Sequence, residues 1–140
     1  MLWDTTETHR TEHFFASRFA GTRIISITRT GAEFQNRETM QRSFDELFPH
    51  VRRLDGEDVV VLLDLGARAP VVPPALDATF GANLVQLLGG FARVAIVVES
   101  PIGQLQMKRI CSEQYLRAVL FSSDREALAW LRSAPLEAVR

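Results

Sequence analysis

The sequence predicts an α/β sandwich in the order ββαβαβαβα, with a mixed sheet covered by helices. Three observations carry that expectation. The runs Asp58–Leu65 and Arg93–Val98 are apolar almost throughout, as strands covered on both faces are. Segments of helical period lie between and after them. Near the start, Thr22-Arg23-Ile24-Ile25-Ser26-Ile27-Thr28 is largely β-branched and reads as the second arm of a hairpin. Right-handed crossovers then set the last three strands parallel.

Taken in order, residues 1–8 are polar and expected to be frayed. His13 to Thr30 reads as two strands around Ala20-Gly21. Asn36 to about Arg53 is a helix, because Met40, Phe44, Leu47, Phe48 and Val51 share one face. Pro49 is expected to end or kink it near Phe48. Leu54 to Glu57 is a turn before the first apolar strand. The Gly66–Pro74 loop is unusual, with Arg68 and three prolines (Pro70, Pro73, Pro74). A helix from about Pro74 to Leu88 follows and closes at Gly89-Gly90. After the second apolar strand, Ser100-Pro101 reads as N-cap and first helical position of a helix to about Tyr115. Ala118–Phe121 is a short strand. Ser123 and Glu126 form a capping box for the last helix, which ends near Ser133-Ala134-Pro135. One domain is expected over residues 9–135, with a tail at 136–140.

Composition narrows the function classes. The chain has 140 residues, 46% hydrophobic and 24% charged, with a net charge of −1. That is ordinary for a globular domain with a real core. The charge balance speaks against a nucleic-acid footprint. Lys108 is the only lysine beside fifteen arginines, a bias that reads as GC-rich coding rather than phosphate binding. No apolar run approaches the roughly 18 residues of a membrane span, and the polar start does not read as a signal peptide. A cytoplasmic protein is the expectation. One cysteine, Cys111, excludes an intramolecular disulfide and a Cys-based zinc site.

Three stretches carry a family resemblance: Phe91-Ala92-Arg93-Val94-Ala95-Ile96-Val97-Val98, Gln104-Leu105-Gln106-Met107-Lys108-Arg109, and Val119 through Leu131 with its Glu126-Ala127-Leu128-Ala129-Trp130-Leu131 ending. They resemble the STAS-like and SEC14-like domains grouped around the anti-sigma-factor antagonist SpoIIAA, over about Arg23 to Leu131. The resemblance implies a bacterial regulatory module that works by binding another protein. Phosphoregulated STAS domains carry D-S/T-S-G at the end of the central strand. The matching stretch here is Asp64-Leu65-Gly66-Ala67-Arg68, and no Ser or Thr follows until Thr79. The serine phosphosite is therefore not carried over.

Chemistry-bearing motifs are sparse. His9 and His13 are four apart but lie in a segment read as extended, where that spacing does not converge on a metal. His50 is expected at a helix end, favoured there as imidazolium by the dipole. Cys111 reads as a small buried hydrophobe. No phosphate-binding, dinucleotide or nucleophile-elbow motif occurs, and no cofactor is expected. The best site hypothesis is topological, since ligands of open α/β sheets gather at the carboxyl ends of the strands. Asp64, Arg68 and Glu99 fall there, either as a salt-bridged loop or as a ligand site. Val71 and Val72, between prolines, either face a partner or fold back onto the core.

Three functions follow. The first is a non-enzymatic interaction module acting through Asp64, Arg68, Val71, Val72 and Glu99, with another protein or a second copy as partner. Trp3, Phe14 and Phe15 add apolar surface suited to a homodimer. The second is a small-molecule or lipid-binding domain, its cavity lined by Phe80, Leu84, Leu87 and Phe91 with Met107 opposite. The third is an enzyme using Asp64 and Glu99.

Overall fold

A computed structural model describes residues 5–19, 22–54 and 58–133. Among the described residues the fold is one mixed six-stranded sheet and four helices. The strands are β1 (Thr5–Arg10), β2 (Phe14–Phe19), β3 (Ile24–Arg29), β4 (Val60–Asp64), β5 (Arg93–Val97) and β6 (Val119–Phe121). The helices are α1 (Arg37–Leu54), α2 (Asp77–Leu88), α3 (Pro101–Glu113) and α4 (Asp124–Ser133), with a 3-10 turn at Pro74–Leu76 before α2. The strands stand in sequence order across the sheet. β1, β2 and β3 are antiparallel neighbours, and β3 to β6 are parallel.

The order is therefore βββαβαβαβα, one strand more than expected. Part of the segment expected to be frayed is β1, which pairs with β2 across a bulge between Glu7 and His9. Its polar sequence suits a sheet edge, where one backbone side meets solvent. Trp3, the Ala20-Gly21 and Asp55–Glu57 turns and the 136–140 tail lie outside the described residues.

The crossovers β3-α1-β4, β4-α2-β5 and β5-α3-β6 all step the same way across the sheet. Right-handed connections then put all three helices on one face. Phe44 and Leu47 of α1, Phe80 and Leu84 of α2 and Met107 and Ile110 of α3 share the larger core with Val61, Leu63 and Ile96. α4 returns over the other face, where Ala127, Leu128 and Leu131 meet Val60, Leu62, Ala95 and Val97. Alternation along β4 and β5 feeds both cores, which is why these strands read as continuous apolar runs.

Two caps form as expected. Ser100 Oγ accepts from Gly103 N–H at 3.0 Å, and Ser123 Oγ accepts from Glu126 N–H at 3.2 Å. Pro49 does not end α1, which runs on to Leu54. Val51 beyond it is buried, while Pro49 and Asp45, whose carbonyl loses its partner, are exposed. Packing of Val51 holds the last turn, and the carbonyl left without its N–H partner faces solvent. His50 is consequently inside the helix rather than at its end. It stacks on His9 and bonds Arg53. Desolvation, then His9 and Arg53, push its pKa down, which works against the imidazolium form.

Candidate functional site

The carboxyl ends of β3, β4 and β5 meet in one cluster of loops. Leu65 N–H donates to Val97 O at 2.9 Å, and Glu99 N–H donates to Gly66 O at 2.9 Å. Ser100 Oγ donates to Arg68 O at 3.3 Å. Between these ties Gly66 takes φ +73°, a left-handed turn in which a side chain would be strained. Asp64 closes the turn by accepting from Gly66 N–H at 3.0 Å.

Asp64 and Glu99 are brought together as electrostatic neighbours, and Asp124 at the start of α4 joins them. Burial is the main cause that raises the Asp64 pKa. The Gly66 hydrogen bond opposes it, and the charges of Asp124 and Glu99 add to it. Arg68 does not join this acidic group. It turns the other way, to Glu33 Oε1 at 2.7 Å and Gly31 O at 2.9 Å. The expected Arg68 pairing with Asp64 or Glu99 is thus replaced by one to the loop after β3. That loop is held beside Arg68 by groups far away in the chain.

The raised Asp64 pKa has a testable consequence. Its ionised form is disfavoured by folding, so its contribution to stability is complete below the unfolded-state pKa. That contribution is lost as pH rises through the folded-state value. Asn keeps the Oδ1 acceptor for Gly66. Asp64→Asn should therefore melt higher than wild type at about pH 7, with the gap closing towards about pH 3.5. Paired thermal melts across that range check this; a gap independent of pH would mean that Asp64 is well solvated.

Val71 and Val72 are not a docking surface. Both are fully buried in the larger core, beside Phe80 and Met107. The Ala69–Pro70 peptide is cis, and the segment after it is clamped by one side chain. Gln106 Oε1 accepts from Val71 N–H at 2.8 Å and Val72 N–H at 3.4 Å, and Gln106 Nε2 donates to Val72 O at 2.9 Å. Arg29 Nη1 adds a bond to Val71 O at 3.0 Å. The valines fold inward because these buried partners satisfy their backbone.

Sequence reasoning missed three of these groups. Gln106 sits on the buried face of α3 with Gly103, Met107 and Ile110, and a lone Gln on an apolar face was its signal. Arg29 follows Ile25 and Ile27 by twos, so strand alternation places it on their face. His13, read as part of an extended segment without a site of its own, is 1% exposed. Its Nε2 lies 3.1 Å from Glu33 O and its Nδ1 2.5 Å from Ser43 Oγ. A carbonyl only accepts, so Nε2 carries the proton toward Glu33 and, in the neutral ring, Ser43 donates to Nδ1. The ring also stacks on Phe34 at 4.3 Å.

The expected ligand-cavity lining is also reassigned. Phe80, Leu84, Leu87, Phe91 and Met107 are all buried in the core. A groove of about 580 Å³ lies at the amino ends of β5 and β6, lined among others by Leu116, Val119 and Trp130; of the expected lining, Phe91 alone borders it. Cys111 packs against the core, and burial pushes its thiol pKa up. Phe14 is fully buried, and Phe15 is half-buried under the Arg10 guanidinium. Among the described residues no three of His, Cys, Asp and Glu gather as metal ligands, and no helix is long and apolar enough to cross a membrane.

Comparison of the chain with protein-family models, curated proteins and solved structures returned no match.

Proposed function

We propose that the chain is a non-enzymatic regulatory or scaffold module of STAS-like fold, without the serine phosphosite, that acts by binding another protein. The observation that carries this is on α3. Ile102 is 62% and Leu105 69% exposed, on the helix face opposite Gly103, Gln106 and Met107. They begin three residues after Glu99, next to the Arg68 loop that Ser100 ties down. Two large apolar side chains in water beside charged loops suit a protein contact. Asp64 and Glu99, with Asp124, give the neighbouring surface a negative charge. The fitting partner therefore presents an apolar patch flanked by arginine or lysine. The repeating β-α order from β3 onward supports the STAS-like reading. With Val71 and Val72 buried, the proposed surface keeps Asp64, Arg68 and Glu99 and gains Ile102 and Leu105.

A small-molecule or lipid-binding role is the second reading, favoured by the 580 Å³ groove and its apolar walls.

The test compares the tagged wild type with Ile102→Ser/Leu105→Ser as bait in lysate of the source organism. Both side chains are exposed, so the variant should keep its fold and lose at most about 0.5 kcal/mol of stability. The expected result is a stoichiometric partner held by wild type and lost by the variant. Light scattering on the same two proteins reads whether that partner is a second copy. A partner held equally by both overturns the assigned surface. A strictly monomeric chain that captures nothing but carries a co-purified apolar small molecule moves the function to the groove.

A further inference from the structure

A different feature lies on the other side of the Arg68 loop. Arg29, the last residue of β3, is 9% exposed. Its guanidinium lies 4.2 Å over the Phe34 ring. Nη1 donates to Val71 O and Nη2 to Ala32 O at 3.2 Å, while Nε has no acceptor. Every partner it has is a neutral carbonyl, and among the described residues no carboxylate pairs with it. A buried cation left in this state is costly unless an opposite charge comes close. Desolvation, and then the neighbouring Arg68, push its pKa down to about 10, against the pull of Glu33.

The two arginines line one groove of about 410 Å³ together with Gly31, Gly66 and Ala67. No acidic side chain is in its wall. Glu33 holds Arg68 from an exposed position. The Asp64 carboxylate accepts from Gly66 N–H and belongs with Glu99 and Asp124. The charged side chains in the groove's own wall are the two arginines, with Glu33 bound to Arg68 and Asp64 turned to the Gly66 backbone. The groove also sits where α/β sheets receive ligands, outside the carboxyl ends of parallel strands.

We propose that this groove binds an oxyanion of the phosphate class. Arg68 leaves Glu33 to make the direct charge-assisted contacts, and Arg29 supplies a fixed positive charge from beneath. Arginine's planar fork suits a phosphate, which accepts two parallel N–H bonds from it. Glu33 occupies Arg68 when the anion is absent, and so competes with it. The surface of α3 plays no part in this site.

The experiment is an amide-resolved NMR titration with inorganic phosphate and with phenyl phosphate. Sodium chloride holds ionic strength constant, because an unspecific charge effect disappears under that control. Wild type should show saturable shifts centred on Gly31, Gly66, Ala67 and Arg68. Arg68→Gln should weaken binding about tenfold through loss of a charge-assisted pair. Glu33→Gln should strengthen it about threefold by freeing Arg68. Tighter binding of the ester assigns an organic phosphate, and equal binding assigns the free ion. Shifts that match the chloride control, or that are unchanged in both variants, would overturn the site. The Glu33 side chain is exposed and outside the core, so a gain in affinity cannot come from misfolding.

Discussion

Replacing Val71 and Val72 together by serine should cost the domain about 5 kcal/mol of stability. Each valine is fully buried against the larger core. Truncating a buried branched side chain loses its transfer free energy and leaves a cavity. A serine hydroxyl placed there adds an unpaired polar group, at about 1–3 kcal/mol. Their sum is comparable with the roughly 5–15 kcal/mol that holds an ordinary domain together. Equilibrium urea unfolding reads the effect as a lower midpoint with an unchanged slope. A loss under about 1 kcal/mol would mean that the segment lies on the surface after all. The substitution therefore disables the fold rather than a docking loop. Any lost interaction in that variant is explained by unfolding.

Gln106→Met should cost about 3 kcal/mol, although it is nearly the same size and keeps a good helix former. The amide serves three backbone groups of the Val71–Val72 segment, at 2.8, 3.4 and 2.9 Å. Methionine leaves two N–H groups and one carbonyl buried without that partner. Arg29 still reaches Val71 O, so the segment loses one anchor of two. Urea unfolding gives the magnitude, and hydrogen exchange gives the location. The Val71 and Val72 amides should exchange far faster while those of β4 and β5 keep their protection. Unchanged exchange at these two amides would show that the clamp is not what holds the loop.

Much of the fold was legible because periodicity is local. The α1 stripe from Met40 to Val51, the two apolar strands and the Ser100 and Ser123 caps each declare themselves within a few residues. β1 was not legible. Its residues are polar, and an edge strand is stabilised by the ladder to β2 rather than by its own burial. The extent of α1 was read to within a residue, but Pro49 does not end it, for a related reason. Proline lowers helix propensity locally, while the burial of Val51 that outweighs it comes from packing.

The candidate site was legible only in part. Asp64, Arg68 and Glu99 were found because topology places strand ends together. Their pairings were not, and Arg68 meets Glu33 thirty-five residues away. Gln106 meets Val71 across the same separation, and Arg29 meets it across forty-two. Element type and order follow from side-chain spacing along a few turns or pleats, which the sequence displays directly. Which polar groups meet, and whether a pair of valines faces water or the core, depends on segments joined only when the sheet assembles. Burial then makes unsatisfied groups expensive, and that cost selects the partners.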